Sequence, residues 1–233
     1  MRWRSILAVT LVAGLVAPRV VTAQDTRPGV AVMPFEDGGS YGQDKEDFEA
    51  LTVGIQQLLL TEFAVNDQLR VIERGRIADL VRELELGASG TVDPSTAARV
   101  GKLVGARYMV FGTFIDWYGD FTLTARVVDV ETSEIIKVER GRDNRDKMFS
   151  IVVDLANDLT RGLDLPPLAR QAFQQRQQRS ERIAPEALRL YSKALLYADR
   201  GDTDRAVELF TQVTREFPEY TEAQEALKQI QQG

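Results

Sequence analysis

The chain has 233 residues, 44% of them hydrophobic and 27% charged, with a net charge of −6 and neither cysteine nor histidine. Without Cys there are no disulfides, thiol nucleophiles, zinc knuckles or lipid-bearing thiols, and without His the commonest general base near neutral pH and the commonest transition-metal ligand are missing. The acidic balance, with acids interleaved through every Lys/Arg cluster, excludes a protein that lives on nucleic-acid phosphates.

Arg2 and Arg4, the apolar run 6–16 and Val21-Thr22-Ala23 form the charged start, apolar core and small-residue exit of a secretory signal peptide over 1–23. The run is shorter than the ~20 apolar residues of a spanning helix, so cleavage after Ala23 is expected, an uncleaved anchor being the alternative that Pro18 and Arg19 leave open. Beyond it, 26 basic residues face 35 acidic ones, a net charge of −9.

The apolar run 30–35, ending at Pro34-Phe35, reads as a buried strand. A Gly- and acid-rich loop, EDGGSYGQDK (36–45), follows. From Glu46 the spacing changes: Phe48, Leu51, Ile55, Leu58, Leu59, Glu62 and Phe63 share one helical stripe, with Asp44 standing at the N-cap. Residues 69–73 return as a strand, and Ile77, Leu80, Val81 and Leu84 mark a second helix stopped by Gly87. A third has Asp93 as cap, Pro94 where a missing N–H costs nothing, Gly105 as stop, and Val100, Leu103 and Val104 facing inward. Three strands share GTFIDWYGDFTLTARVVDVETSEII (112–136), and Phe149, Val152, Val153, Ala156, Leu159 and Leu163 give a closing helix. The order β-α-β-α-α-β-β-β-α predicts an α/β domain over 24–164, a mixed sheet covered by helices. Leu165-Pro166-Pro167 breaks the last helix, a Gln/Arg-rich helical linker spans 165–184, and an all-α helical hairpin fills 185–233.

Strand hairpins in an exported chain can build a pore, where each spanning strand needs about 9–11 residues with alternate positions apolar. Phe121, Leu123, Ala125 and Val127 alternate in that way, but the next strand sets Lys137 and Glu139 beside Ile135. A basic side chain at mid-bilayer costs about 2–4 kcal/mol. Residues 108–115 are almost continuously apolar, as in a central strand covered on both faces, and the tight turns 117–120 and 131–133 leave no inserted segment. The expectation is therefore a sheet wrapped by its own helices, with no membrane span.

VAVMPFED, LRVIERGRIADLVREL, GARYMVFGTFI and LTARVVDVETSEII follow one another as they do in the curli-secretion CsgG family, which this chain resembles over residues 28–163. The family's channel is a lipoprotein that inserts two long hairpins into the outer membrane. Here 116–120 and 141–147 stand where those hairpins would be, and no Cys accepts lipid. The resemblance thus implies the periplasmic half of such a protein without its pore, located in the periplasm with an outer-membrane association. The loop 36–45, with Tyr41 inside it, matches the family's constriction loop, although its length and acidity differ.

Leu190, Ala194, Tyr197, Gly201, Ala206, Phe210 and Pro218 fall at the offsets of a tetratricopeptide repeat, with Ala223, Leu227 and Ile230 on a capping helix. A plain helical hairpin is the alternative. One repeat cannot bury its own apolar face, so it docks on the α/β domain or on another chain.

Catalytic readings fare poorly. Gly38-Gly39-Ser40-Tyr41-Gly42 matches the G-x-S-x-G elbow, yet no His can take the serine proton, and a flexible loop is the better reading. Glu36, Asp37, Asp44, Glu46 and Asp47 match no calcium-loop spacing, and Glu73-Arg74 reads as a structural ion pair. What remains is a non-enzymatic partner-binding module without catalytic residues, metal or cofactor. Its candidate contacts are Tyr41, Asp44, Trp117, Tyr118, Tyr191 and Tyr197, and its partners are other envelope proteins or peptides. A ring of identical copies in an outer-membrane secretion system is the alternative, and a hydrolase built on two carboxylates is the remote one.

Overall fold

The computed structural model describes residues 25–84, 92–163, 165 and 168–232. The expected signal peptide and the Gly87 stop lie outside them. The α/β part runs β1 (Gly29–Val32), β2 (Glu36–Asp37), α1 (Lys45–Ala64), β3 (Arg70–Val71), α2 (Arg74–Glu83), α3 (Pro94–Val104), β4 (Tyr108–Trp117), β5 (Asp120–Asp129), β6 (Ile135–Asn144) and α4 (Met148–Arg161). Helices α5 (Arg170–Ser180), α6 (Pro185–Asp199), α7 (Thr203–Glu216) and α8 (Thr221–Gln232) follow.

The sheet is mixed, in the order β3-β1-β4-β5-β6, with β2 also on β4. β1 lies parallel to β3 and β4, while β4, β5 and β6 form two antiparallel hairpins. α1 and α4 cover one face, burying Val110, Phe114, Phe121, Leu123, Ala125 and Val127. α2 and α3 cover the other over Ala31, Met33, Met109, Phe111 and Val128. Beyond their reach Ile115, Trp117 and Val138 are exposed, because eleven helical residues advance about 16 Å where ten strand residues advance about 33 Å. Among the described residues no helix is long and apolar enough to cross a membrane.

α3 has the expected caps. The Asp93 carboxylate accepts from Thr96 N at 2.7 Å, Pro94 is the first helical residue, and Gly105 ends the helix with φ 70°. Leu103, expected inside, is exposed. The buried stripe is Ala97, Val100, Gly101 and Val104, and Gly101 is needed because a side chain there would strike Val130.

The helices after α4 form a further layer. α1 presents Leu58, Leu59 and Leu60 to a core that continues through Leu188, Tyr191, Ala194 and Leu195 of α6 to Phe210 and Val213 of α7 and Tyr220. Each such leucine taken from water stabilises the fold by about 2 kcal/mol. α1 and α6 approach at Gly54, where any side chain would overlap Ser192. Ion pairs seam the layers: Arg176 of α5 with the buried Glu62, Arg179 with Glu222, and Arg74 with Asp199. The last corrects the expected Glu73-Arg74 pair, since Arg74 reaches across to α6 instead.

Candidate partner-binding surface

The stretch expected as a flexible loop is strapped along β4. Glu36 and Asp37 pair with Thr113 and Phe114, and Gly38 N donates to the Phe114 carbonyl at 2.8 Å. Tyr41 N donates to the Asp116 carbonyl at 2.7 Å, and Tyr118 N donates to the Tyr41 carbonyl at 3.0 Å. The Ser40 hydroxyl donates to Asp37 Oδ1 at 2.5 Å and accepts from Asp116 N at 2.9 Å. This serine is a clip for the strap.

Beneath the strap lies Asp116, whose side chain is 0% exposed. It faces the same way as Val110 and Phe114, so period-two alternation carries a charge inward. Both its oxygens are engaged: Oδ1 accepts from Gly119 N at 2.8 Å and from Arg145 Nη2 at 2.9 Å, and Oδ2 pairs with Arg145 Nε. Arg145 N in turn donates to the Gly119 carbonyl at 2.8 Å. Sequence reasoning passed over this pair, although an acid at an inward strand position demands a buried cation.

The pair fixes a two-residue turn with Tyr118 at φ 54° and Gly119 at φ 98°. Positive φ at both central positions matches the twist of the strands, a need that Gly meets freely and Tyr only at a cost of about 1 kcal/mol. Tyr118 lies against Gly42, where a Cβ would come within 2.9 Å of its ring.

Three sequence candidates thereby meet at one tip. Tyr41, Trp117 and Tyr118 are 56%, 62% and 74% exposed, and the Tyr41 and Trp117 ring centroids are 5.8 Å apart. Asp44 is exposed too. It occupies the N-cap position of α1 but makes no side-chain cap bond, its carbonyl accepting from Asp47 N at 3.0 Å instead.

Tyr191 and Tyr197 lie elsewhere, inside the α1–α6 layer and nearly fully buried. Docking on α1 places them there. The Tyr197 hydroxyl donates to the Glu46 carboxylate while the Arg205 guanidinium lies 4.3 Å over its ring. That hydroxyl, opposed by burial and aided by Lys193, holds Glu46 below the usual carboxylate range. Tyr191 packs edge-on against Tyr220 at 5.0 Å and tilted against Phe210 at 5.7 Å.

The acids once weighed for calcium go separate ways. Glu36 accepts from Val92 N at 2.5 Å, Asp37 holds the strap, and Asp47 pairs with Lys193 at 2.7 Å. Among the described residues no group of three or more Asp or Glu is placed to hold a metal ion.

Residues 19–120 match the model of the family described as curli production assembly/transport component CsgG. Among solved structures, the chain is similar to the LpoB C-terminal domain from Escherichia coli at 19% identity over 51% of this chain and 83% of that one, TM-score 0.38. It is also similar to TolB from Acinetobacter baumannii (13% identity, 61% and 30% covered, TM-score 0.42) and to a PelC dodecamer from Paraburkholderia phytofirmans (14%, 60% and 90%, TM-score 0.33). No curated protein matches it.

Proposed function

We propose that this chain is an exported, non-enzymatic envelope protein that docks another envelope protein on Tyr41, Trp117 and Tyr118, with its C-terminal helices, read as a tetratricopeptide-like unit, bracing α1. The observation that carries the reading is the tip itself: three large aromatics held mostly exposed on a hydrogen-bonded frame. Trp and Tyr are the residues that anchor protein interfaces, and their low side-chain entropy makes a rigid tip an efficient contact. The signal-like first 23 residues and the CsgG match support the envelope setting.

A photo-crosslinker in place of Tyr118 in the mature chain tests it. One discrete envelope protein is expected in the adduct, and Trp117→Ala should abolish the adduct while leaving the circular dichroism unchanged. An adduct pattern indifferent to Trp117→Ala, or hydrolysis of an envelope polymer by the purified chain, would overturn the reading.

A second reading, a ring of copies, is favoured by β6, an edge strand with Ile135, Ile136 and Val138 exposed. Sedimentation decides: a strict monomer at high concentration excludes it.

A further inference from the structure

Among the described residues β6 pairs with β5 alone, it contains no proline, and past the register shift beside Val127 it runs regularly from Lys137 to Asp143. Alternate backbone N–H and C=O groups of that run point away from the sheet with no strand to meet them. Edges are commonly spoiled by charges turned inward. Here the charges turned toward α4, Lys137 and Glu139, neutralise each other at 2.7 Å, so the backbone stays open to a further strand.

The two sides of this edge differ in charge. Val138, Arg140 and Arg142 turn away from α4 and are exposed, in register with Arg126, Thr124 and Thr122 of β5. Arg142 pairs with Asp120. Arg140 reaches only the Thr124 hydroxyl, at 3.3 Å, and Arg126 lies over the Phe111 ring at 6.0 Å, so neither has a carboxylate among the described residues. Arg140 stands two residues from Arg142 and diagonal to Arg126, each about 7 Å away along the pleat. In a chain of net charge −6 the three guanidiniums make a local cationic face. On the other side a groove of about 240 Å³ lies between β6 and α4, lined by Gly141, Ile151 and Leu155 and rimmed by Asp154 and Asp158.

We infer that β6 takes up an extended segment of a partner protein as an added strand, with acidic side chains at alternate positions facing Arg140 and Arg142 and small apolar ones in the groove beside α4. Main-chain hydrogen bonds hold such a strand and its alternate side chains give the selectivity. The acidic rim of the groove turns carboxylates to the arginine side, which fixes the phase. A second copy is the poorer occupant: two antiparallel β6 edges would bring two cationic faces together, and the far edge of the sheet, β3, is only Arg70–Val71. The inference does not rest on the aromatic tip.

The probe is a fluorescein-labelled peptide, Ala-Glu-Val-Glu-Val-Glu-Ala, followed by anisotropy with the mature chain, and the same peptide with Lys in place of Glu is the control. Saturable, salt-sensitive binding of the glutamate peptide alone is expected, with slowed amide exchange in β6. Arg140→Gln should weaken it about fivefold and the more distant Arg126→Gln about twofold. N-methylation of one of the peptide's two alternate residue sets should abolish binding, because those N–H groups make the ladder. Absence of binding, equal binding of the lysine peptide, binding that leaves β6 exchange unchanged, or tolerance of N-methylation at both sets would overturn the inference. So would β6 amides already protected in a chain that self-associates without peptide, the mark of a second copy on this edge.

Discussion

Tyr118 and Tyr197 are the same side chain under opposite orders. Tyr118 sits in a hairpin turn with left-handed backbone and is 74% exposed, while Tyr197 rides a helical stripe, is 5% exposed, and has both its ring and its hydroxyl engaged. Helical periodicity took Tyr197 inward because α1 offered an apolar face to receive it. The turn pushed Tyr118 outward because positive φ directs its side chain away from the strands it joins. An aromatic inside is accounted for by packing, whereas an aromatic displayed at a conformational cost calls for another reason.

If the tip is a rigid display, its hidden support should dominate its stability. Arg145→Ala leaves the fully buried Asp116 carboxylate without its cation and should cost about 3 kcal/mol, with Arg145→Lys recovering part of it. Urea denaturation measures the loss. Trp117, the one tryptophan beyond Trp3, reports at the same time whether the tip has come apart. A cost below 1 kcal/mol would mean that water reaches the pair and that the tip is held by the strap alone.

The helical layer is probed at its closest approach. Gly54→Leu forces α1 away from α6 and should cost about 2 kcal/mol. Amide exchange should rise in α6 and α8 while Trp117 emission stays fixed. Equal loosening of both regions would erase the distinction drawn between them.

Acid should act on the same seam more mildly. Glu46 is held low by the Tyr197 hydroxyl, and Glu222 is held low because the Arg179 pair outweighs the burial that opposes it. A carboxylate depressed on folding contributes stability above its ordinary value of 4.5 and loses it as pH falls through the lowered native value. Exchange in α6 and α8 should therefore increase as pH falls from about 5 through the lowered native values. A layer whose protection is flat over that window would remove these two groups from its stability.

Much of this was legible in the chain. Asp93, Pro94 and Gly105 bound α3 because capping is local chemistry, and the stripe from Phe48 to Phe63 turned inward because it repeats at the helical period. Leu103 misled because the inward position was filled by Gly101, which carries no apolar signal. The strap stayed hidden for a related reason: Gly38 to Tyr41 has no strand periodicity, and its pairing with residues 114–118 is long-range and runs through backbone atoms. The tip's aromatics could be picked out as turn residues, but their convergence depends on that pairing. Arg74 found Asp199, 125 residues away, where sequence adjacency had suggested Glu73.

The smallest effect bears hardest on why Tyr118 is there. Asn tolerates the left-handed region, and Asn-Gly is the favoured pair for this turn. Tyr118→Asn should relieve backbone strain and lose only the ring's contact with Gly42, for a net gain of about 0.5 kcal/mol. Stability should thus rise by this small amount while an envelope partner, if the tip binds one, is lost. A variant that is more stable and still captures the partner would show that the tyrosine is displayed for no purpose of binding. A variant that is less stable would show that the ring's seat on Gly42 outweighs the strain, and that Tyr118 belongs with the packed aromatics after all.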